Sequence, residues 1–83
     1  MSFAEVRTDP LTGLNNRSAM EESLKTMFAM KERYNTEFSV ALVDIDQFKR
    51  LNDEQGHLFG DEVLQQVADA LDKSVRETDS VAR

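Results

Sequence analysis

Two carboxylates next to an apolar run are the residues of this sequence whose types and spacing most clearly allow chemistry. Asp44 and Asp46 follow the segment VALV at residues 40–43. Carboxylates beside a buried segment are costly unless they are solvated, paired or bound to a metal. Carboxylate oxygens are hard ligands, which suit hard metal cations. Because side chains alternate along a strand, the two carboxylates would lie on opposite faces and need not bind one ion. The alternative is a pair of solvated carboxylates at the end of a strand.

The residues directly after these carboxylates are predicted to start a short helix. Gln47, Phe48 and Lys49 would form its first turn. Free backbone N–H groups at a helix start attract anions, so this turn could bind phosphate groups through its main chain. Phe48 is more typical of a core residue than of a ligand contact, and Lys49 could also be a solvated lysine.

The first element that would position these groups is an amphipathic helix. It follows a loop at residues 9–17 that is rich in turn-forming residues, including Pro and Gly. Ser18 and Glu21 fit a capping box, which predicts a helix that continues to about Tyr34. Glu21 and Lys25 would form a favourable pair one turn apart. The apolar face of this helix is formed by Met20, Leu24, Met27 and Phe28.

The remaining elements follow from a change in the hydrophobic period. Residues 38–45 are β-rich and almost wholly apolar at their centre, which is typical of a central strand covered on both faces. A short helix at 47–54, a break at 55–57, a second long helix at about 60–75 and the start of another strand at 79–83 come next. The face of the long helix is formed by Leu64, Val67, Ala68, Leu71 and Val75. One strand with the beginning of another cannot make a sheet, so we expect an incomplete folding unit.

Composition limits the partners of the chain. With 83 residues it is at most one small domain, and such a chain buries only roughly 60% of its unfolded surface. The net charge of −6 argues against binding to a nucleic-acid backbone, because that contact needs clustered cations. The chain has no Cys, which permits a cytoplasmic setting, and no apolar run approaches the length of a membrane helix.

Four motifs, in register, resemble those of the GGDEF family. DPLTGLNNR at 9–17 is similar to the DxLTGLxNR opening of that family, and DIDQFKRLND at 44–53 is similar to its DIDxFKxxND block. GHLFGDEVL at 56–64 resembles GHxxGDxxL, and RETD at 76–79 stands where the family often carries an RxxD site. Each motif alone is weak, but all four in order are specific, and they cover residues 9–83.

The resemblance implies an α/β fold and a domain division. The family fold is an α+β palm of the ferredoxin-like or nucleotidyl cyclase-like type, with a central antiparallel sheet flanked by helices. Residues 9–83 would be the N-terminal half of that domain, which ends just before the GG[DE]EF loop. Residues 1–8 would be a linker or the end of an upstream helix.

The resemblance also implies an activity. GGDEF domains of this type are diguanylate cyclases, which condense two GTP molecules into cyclic di-GMP and release pyrophosphate. Catalysis would need a homodimer in which each subunit holds one GTP, together with Mg²⁺ or Mn²⁺. An upstream sensory domain would control dimerisation. We expect a cytoplasmic protein with no nucleic-acid partner and no membrane contact within this segment.

The family match assigns roles to named residues. Asp44, the catalytic residue, and the carbonyl oxygen of Ile45 would ligate the metal, and the signature loop would add a further acidic ligand. Asn52 and Asp61 would bind guanine, since Asp61 can accept from the N–H donors of the base and Asn52 offers both an acceptor and donors. The simpler alternative is a turn Asn and an Asp that caps the long helix. The β- and γ-phosphates would bind to the backbone amides of Gln47, Phe48 and Lys49.

A second ligand site is implied near the end of the chain. In the family the residues that match Arg76 and Asp79 bind cyclic di-GMP and inhibit the enzyme. A guanidinium can bind a phosphate or a guanine edge, and a carboxylate can accept guanine N–H donors. The alternative is an Arg that favours the C-terminal dipole of the helix, followed by an Asp in a turn.

Other polar residues are assigned structural roles. Asp9, Thr12, Asn16 and Arg17 are predicted to tie the opening loop to the domain, although Arg17 could contribute to a subunit interface. His57 is the one histidine of the chain and is interpreted as a hydrogen-bonding residue in a turn rather than as a general base.

An alternative function is a non-catalytic GGDEF-like module that binds GTP or cyclic di-GMP and regulates a partner. The loop after Arg83 would distinguish the two functions, because a loop without its second acidic residue favours the binding module. Since residues 1–83 stop before that loop, this polypeptide by itself is expected to be inactive as a cyclase.

Overall fold

The computed structural model describes residues 6–83 and contains three helices in this range. They are α1 (Arg17–Tyr34), α2 (Phe48–Gln55) and α3 (His57–Ser74). No β-strand forms within the described range, which holds only two isolated β-bridges. None of the three helices combines the length and the apolar character of a membrane span. The prediction for residues 1–8 lies mostly outside the described residues.

The N-terminus of α1 is capped by Asn16, not by Ser18. Asn16 has an extended backbone, and its side-chain oxygen accepts the amide hydrogen of Ala19 at 3.0 Å. Its own amide donates to the carbonyl oxygen of Arg7 at 2.8 Å, which holds it outside the helix. The predicted capping box of Ser18 and Glu21 is therefore wrong, because Ser18 already lies inside the first turn.

The remaining features of α1 agree in part with the sequence analysis. The helix ends at Tyr34 as predicted, and Asn35 adopts a left-handed conformation (φ 56°) whose amide donates to the carbonyl oxygen of Lys31 at 2.8 Å. Glu21 accepts from Arg17 at 3.1 Å rather than pairing with Lys25. The predicted pair Glu21–Lys25 and the observed pair Arg17–Glu21 both join residues four apart. The observed pair lies one helical turn nearer the N-terminus.

A single glycine joins α2 directly to α3. Gly56 has φ 89°, and its amide donates to the carbonyl oxygen of Asn52 at 2.8 Å, which ends α2. The combination of φ 89° with ψ 161° is essentially restricted to Gly, so the chain can reverse here in one residue. Helix α3 therefore begins at His57, three residues before the predicted start at Gly60, and α2 packs against α3.

The opening loop is attached to the end of the chain. Asn15 pairs with Ala82 in a parallel bridge, in which the Asn15 amide donates to Val81 at 3.2 Å and the Arg83 amide donates to Asn15 at 2.8 Å. Gly13, at φ 73°, donates to the carbonyl oxygen of Asp9 and closes the loop. The predicted strand at 79–83 is thus reduced to a bridge with this loop.

The predicted central strand at 38–45 does not form within residues 6–83. Leu42 is 96% exposed, and Val40 and Val43 are also largely exposed. A strand is held by hydrogen bonds to its neighbours, and the described chain places none beside this segment. Phe38 makes the clearest contact of the segment, with its ring edge-on to that of Phe28 at 4.9 Å between centroids.

The exposed apolar segment predicts self-association of the 83-residue chain. Changing Leu42 to Lys should cost at most about 0.5 kcal/mol of monomer stability, because the side chain is solvated, yet it should weaken association through the unpaired segment. Sedimentation across a concentration series measures the effect. The matched control is Leu58→Lys on α3, which is 84% exposed and should leave association unchanged. A strict monomer with a cooperative, concentration-independent melt would contradict this prediction.

Candidate functional site at the α2–α3 helix pair

The two carboxylates that end the apolar segment lie just before α2. Asp44 and Asp46 are both exposed, while Ile45 between them is half-buried. The carbonyl oxygen of Ile45 accepts the amide hydrogen of Phe48 at 3.3 Å, a long contact that uses one of its two lone pairs. Gln47 has φ 54°, and this left-handed residue turns the chain from the apolar segment into the helix.

These residues supply a partial set of hard ligands for a metal ion. Within residues 6–83 no three acidic or histidine side chains come together as a closed metal site. The donors at this place are the Asp44 carboxylate and the free lone pair of the Ile45 carbonyl oxygen. Mg²⁺ commonly binds through one or two carboxylates and keeps waters and substrate phosphates as its other ligands. The donor set therefore fits a divalent cation such as Mg²⁺ that takes its other ligands from water or a bound anion, rather than an ion held by protein alone.

The predicted phosphate-binding amides lie at the N-terminus of α2. Gln47 is the residue before the helix, and Phe48 and Lys49 open its first turn. The first N–H groups of a helix lack partners within it, and the helix dipole favours negative charge there. The Phe48 amide is the exception, since it already points at Ile45. Phe48 is half-buried and Lys49 exposed, which agrees with a packing role for the ring.

Asn52 lies on α2 and Asp61 on α3, and these two helices pack against each other. The side chain of Asn52 lies directly on Gly60, the neighbour of Asp61 in the chain. Both polar side chains are half-buried, so they remain accessible to a ligand. Asp61 is the fifth residue of α3, and the alternative that it caps this helix is wrong.

His57 occupies the first position of α3 and is exposed. Within the described part of the chain its ring makes no hydrogen bond, so the predicted role as a hydrogen-bonding turn residue is wrong. The turn at this place is made by the backbone of Gly56 instead.

The opening loop is organised by Asp9, as the sequence analysis predicted for its structural residues. The Asp9 carboxylate accepts from the Thr12 hydroxyl at 2.8 Å, from the Thr12 amide at 3.0 Å and from the Arg83 guanidinium at 3.2 Å. The hydrogen bond from the Thr12 side chain, with support from Arg83, lowers the pKa of Asp9 below its usual value of 3.8. Arg17 differs from the prediction, because it pairs with Glu21 inside its own helix.

Two further residues of this network were missed by the sequence analysis. Arg83 reaches back across almost the whole chain to Asp9, and the side-chain amide of Gln65 donates to the carbonyl oxygen of Leu11 at 3.1 Å. The second contact attaches the opening loop to α3. The sequence around Arg83 and Gln65 contains no pattern that predicts a contact with Asp9 or Leu11, which are far away along the chain.

Arg76 and Asp79 form a turn beyond the end of α3. The Arg76 amide donates to the Asp79 carboxylate at 3.0 Å, and the Asp79 amide donates back to the carbonyl oxygen of Arg76 at 2.9 Å. Asp79 therefore lies in a turn, as the alternative to a product-binding site predicted. The guanidinium of Arg76 takes no part in the hydrogen bonds of this turn. Asp79 also borders a cavity of about 260 Å³ between the opening loop and α3.

Comparisons with known proteins agree on one family. Residues 6–83 match the model of the family described as "Diguanylate cyclase, GGDEF domain". The chain is 49% identical over 76 residues to the diguanylate cyclase DgcP of Pseudomonas aeruginosa, a match that covers 92% of this chain and 11% of that protein. It is 42% identical over 83 residues to the diguanylate cyclase DosC of Escherichia coli, which covers 100% of this chain and 18% of that protein.

A solved structure with the same fold is the GGDEF domain of DgcB from Caulobacter crescentus in complex with c-di-GMP. It superposes with a TM-score of 0.91 at 36% sequence identity, and the match covers 100% of this chain and 47% of that one. The chain thus spans about half of the solved domain and a quarter or less of the length of the curated relatives it matches.

The Asp9 network predicts an acid-dependent loss of stability. The folded state lowers the pKa of Asp9, so the carboxylate stabilises the fold at pH values above 3.8 and this contribution is lost as the pH falls through the lower, folded value. Asp9→Asn should therefore lower the urea midpoint at pH 7, and the difference from the unchanged chain should shrink below pH 3.8. Thr12→Val, which removes the donor with the largest effect on this pKa, is the matched variant and should show the same trend. A difference that stays constant from pH 7 to pH 2.5 would contradict the role of the charge.

Proposed function

Because the chain belongs to the GGDEF family of diguanylate cyclase domains, we propose that it carries the guanine- and phosphate-binding half of a domain that converts GTP into cyclic di-GMP. The observation that carries this proposal is the placement of Asn52 against Gly60, beside Asp61, on two helices joined by one residue. Two polar side chains on packed helices, Asn52 and Asp61, are suited to forming hydrogen bonds with the edge of a base.

The chemistry of the pair favours guanine over adenine. Guanine presents N–H donors at N1 and N2, which the Asp61 carboxylate can accept, and the Asn52 amide offers both a donor and an acceptor. Adenine has neither of those donors. A site built for hydrogen bonds discriminates strongly against an analogue that lacks them, because its half-buried polar groups are then left unpaired.

The triphosphate would extend from the base towards the start of α2. The amides of Gln47 and Lys49 lie at the positive end of the helix dipole, and the Phe48 amide can exchange its long contact with Ile45 for a phosphate oxygen. Asp44 and the Ile45 carbonyl oxygen would hold Mg²⁺ or Mn²⁺ next to these phosphates. When bound, the metal neutralises phosphate charge and lowers the pKa of the attacking hydroxyl.

The proposed reaction needs two copies of the domain. Each copy would hold one GTP, and a homodimer would place the 3′-hydroxyl of each nucleotide against the α-phosphate of the other. Two bonds would form, each between a 3′-oxygen and an α-phosphorus. The two bonds between an α-phosphorus and its bridging oxygen to the β-phosphate would break, so that two pyrophosphates leave and the hydroxyl protons pass to solvent. Positioning and charge neutralisation supply most of the rate in such phosphoryl chemistry. An upstream sensory domain would control the dimer.

The proposed parent fold explains the exposed apolar segment. In an α/β palm, residues 38–45 would become the central strand of an antiparallel sheet whose other strands would begin at residues 79–83 and continue in the second half of the domain. The exposure of Val40, Leu42 and Val43 supports this, since these side chains have the character of a strand interior.

Two further roles remain proposals. The alternative to catalysis is a regulatory GGDEF-like module that binds GTP or cyclic di-GMP through the same residues without turnover. An inhibitory product site at Arg76 and Asp79 is supported by the exposed guanidinium of Arg76, while the Asp79 carboxylate would have to release the Arg76 amide before it could bind a guanine.

Guanine recognition is tested by nucleotide selectivity. Asn52→Ala and Asp61→Ala should each weaken GTP binding by about 1–3 kcal/mol, the range of a good base contact, and should change ATP binding little. NMR titration of the 83-residue chain with each nucleotide detects even millimolar affinities. The controls Asp53→Ala and Glu62→Ala change exposed neighbours on the same helices and should leave the preference intact. Equal losses for GTP and ATP would contradict guanine recognition.

A further inference from the structure

Gly60 is a buried helical glycine whose presence is not explained by its backbone. It lies within α3 with an ordinary helical conformation, and a glycine inside a helix costs roughly 1 kcal/mol relative to alanine. The other two glycines of the chain differ from it. Gly13 and Gly56 have positive φ, and a Cβ atom at either would meet no atom within 4 Å. Of the three glycines, only Gly60 lies where an added side chain would collide with another residue.

The space at Gly60 is filled by the side-chain amide of Asn52. A Cβ atom at residue 60 would lie 1.7 Å from Oδ1 of Asn52, 2.8 Å from its Cγ and 3.3 Å from its Nδ2. The first two distances are far below van der Waals contact, so the two groups cannot coexist in this arrangement. The atoms that would be displaced are those that carry the hydrogen-bonding capacity of Asn52.

We propose that the bare Cα of Gly60 determines base specificity by positioning Asn52. The missing side chain allows the Asn52 amide to lie against residue 60 of α3, which directly precedes Asp61 in the chain. In this proposal one base edge contacts both Asn52 and Asp61. This role rests on the proposed guanine site and adds to it a residue that contacts no ligand itself. Gly60 is therefore a positioning residue and not a catalytic one.

A side chain at residue 60 would displace the Asn52 side chain rather than the two helices. The backbones of α2 and α3 are joined by Gly56 alone and pack together, so they have little freedom to separate. The end of the Asn52 side chain is free to rotate about its χ angles. Gly60→Ala should therefore leave the helix pair folded and turn the amide away, which destroys hydrogen-bond geometry that tolerates only a few tenths of an ångström.

The test is a double-mutant cycle on the 83-residue chain. Gly60→Ala, Asn52→Ala and the double variant are compared in GTP and ATP titrations and in urea unfolding. We expect Gly60→Ala to reduce the preference for GTP roughly tenfold, the effect of one lost hydrogen bond. In the Asn52→Ala background the same change should alter the preference less than about twofold and should raise stability, because alanine is the better helix former once the clash is gone.

The outcomes separate this inference from the proposed function. If Asn52→Ala loses the preference and Gly60→Ala keeps it, the guanine site stands and the role of Gly60 is overturned. If the unchanged chain shows no preference for GTP, the proposed function fails, and the specificity role fails with it. Gly60→Ala could also fail to fold, and the variant that combines it with Asn52→Ala then tests the inference. If the double variant folds, the alanine at residue 60 clashes with Asn52 as proposed. If the double variant stays unfolded, the proposed role of Gly60 is overturned. Glu62→Ala, an exposed change on α3, is the control for unrelated effects.

Discussion

The arrangement of the site depends on the one-residue turn at Gly56. Its positive φ ends α2 by a hydrogen bond to Asn52 and allows α3 to begin at the next residue. With no longer connection, the two helices have to pack closely, and that packing places Asn52 on Gly60. Two glycines thus act through different properties: Gly56 supplies a backbone conformation and Gly60 supplies space. Together they place the half-buried Asn52 side chain against the residue that precedes Asp61.

A second constraint ties the two ends of the described chain together. Asp9 holds the opening loop through Thr12 and receives Arg83 from the far end, while Asn15 forms a bridge with Ala82. The residues of the opening motif therefore make structural contacts, and the residues proposed to bind the nucleotide lie in the middle of the chain.

Local signals predicted the helices well and their exact ends less well. Helix α2 agrees with the sequence analysis to within one residue, because its polar turn and its glycine stop are local features. The cap of α1 was misassigned since Asn16 and Ser18 are both good caps, and the contact with Arg7 decides between them. Residues 38–45 show the limit of pattern analysis, because a strand needs partners that the described chain does not provide. The contact between Asn52 and Gly60 carries no sequence signal, since it depends on how two helices pack. The site residues carried over from the family, Asp44 above all, stay predictions.

The most direct measurement of the central claim is a crystal structure of the chain, or of a larger GGDEF polypeptide that contains it, with GTP bound. We predict that N1 and N2 of guanine lie within about 3.2 Å of side-chain oxygens of Asp61 and Asn52, with the triphosphate at the start of α2. A base bound elsewhere, for example in the cavity bordered by Asp79, or one whose Watson–Crick edge faces solvent, would contradict this prediction.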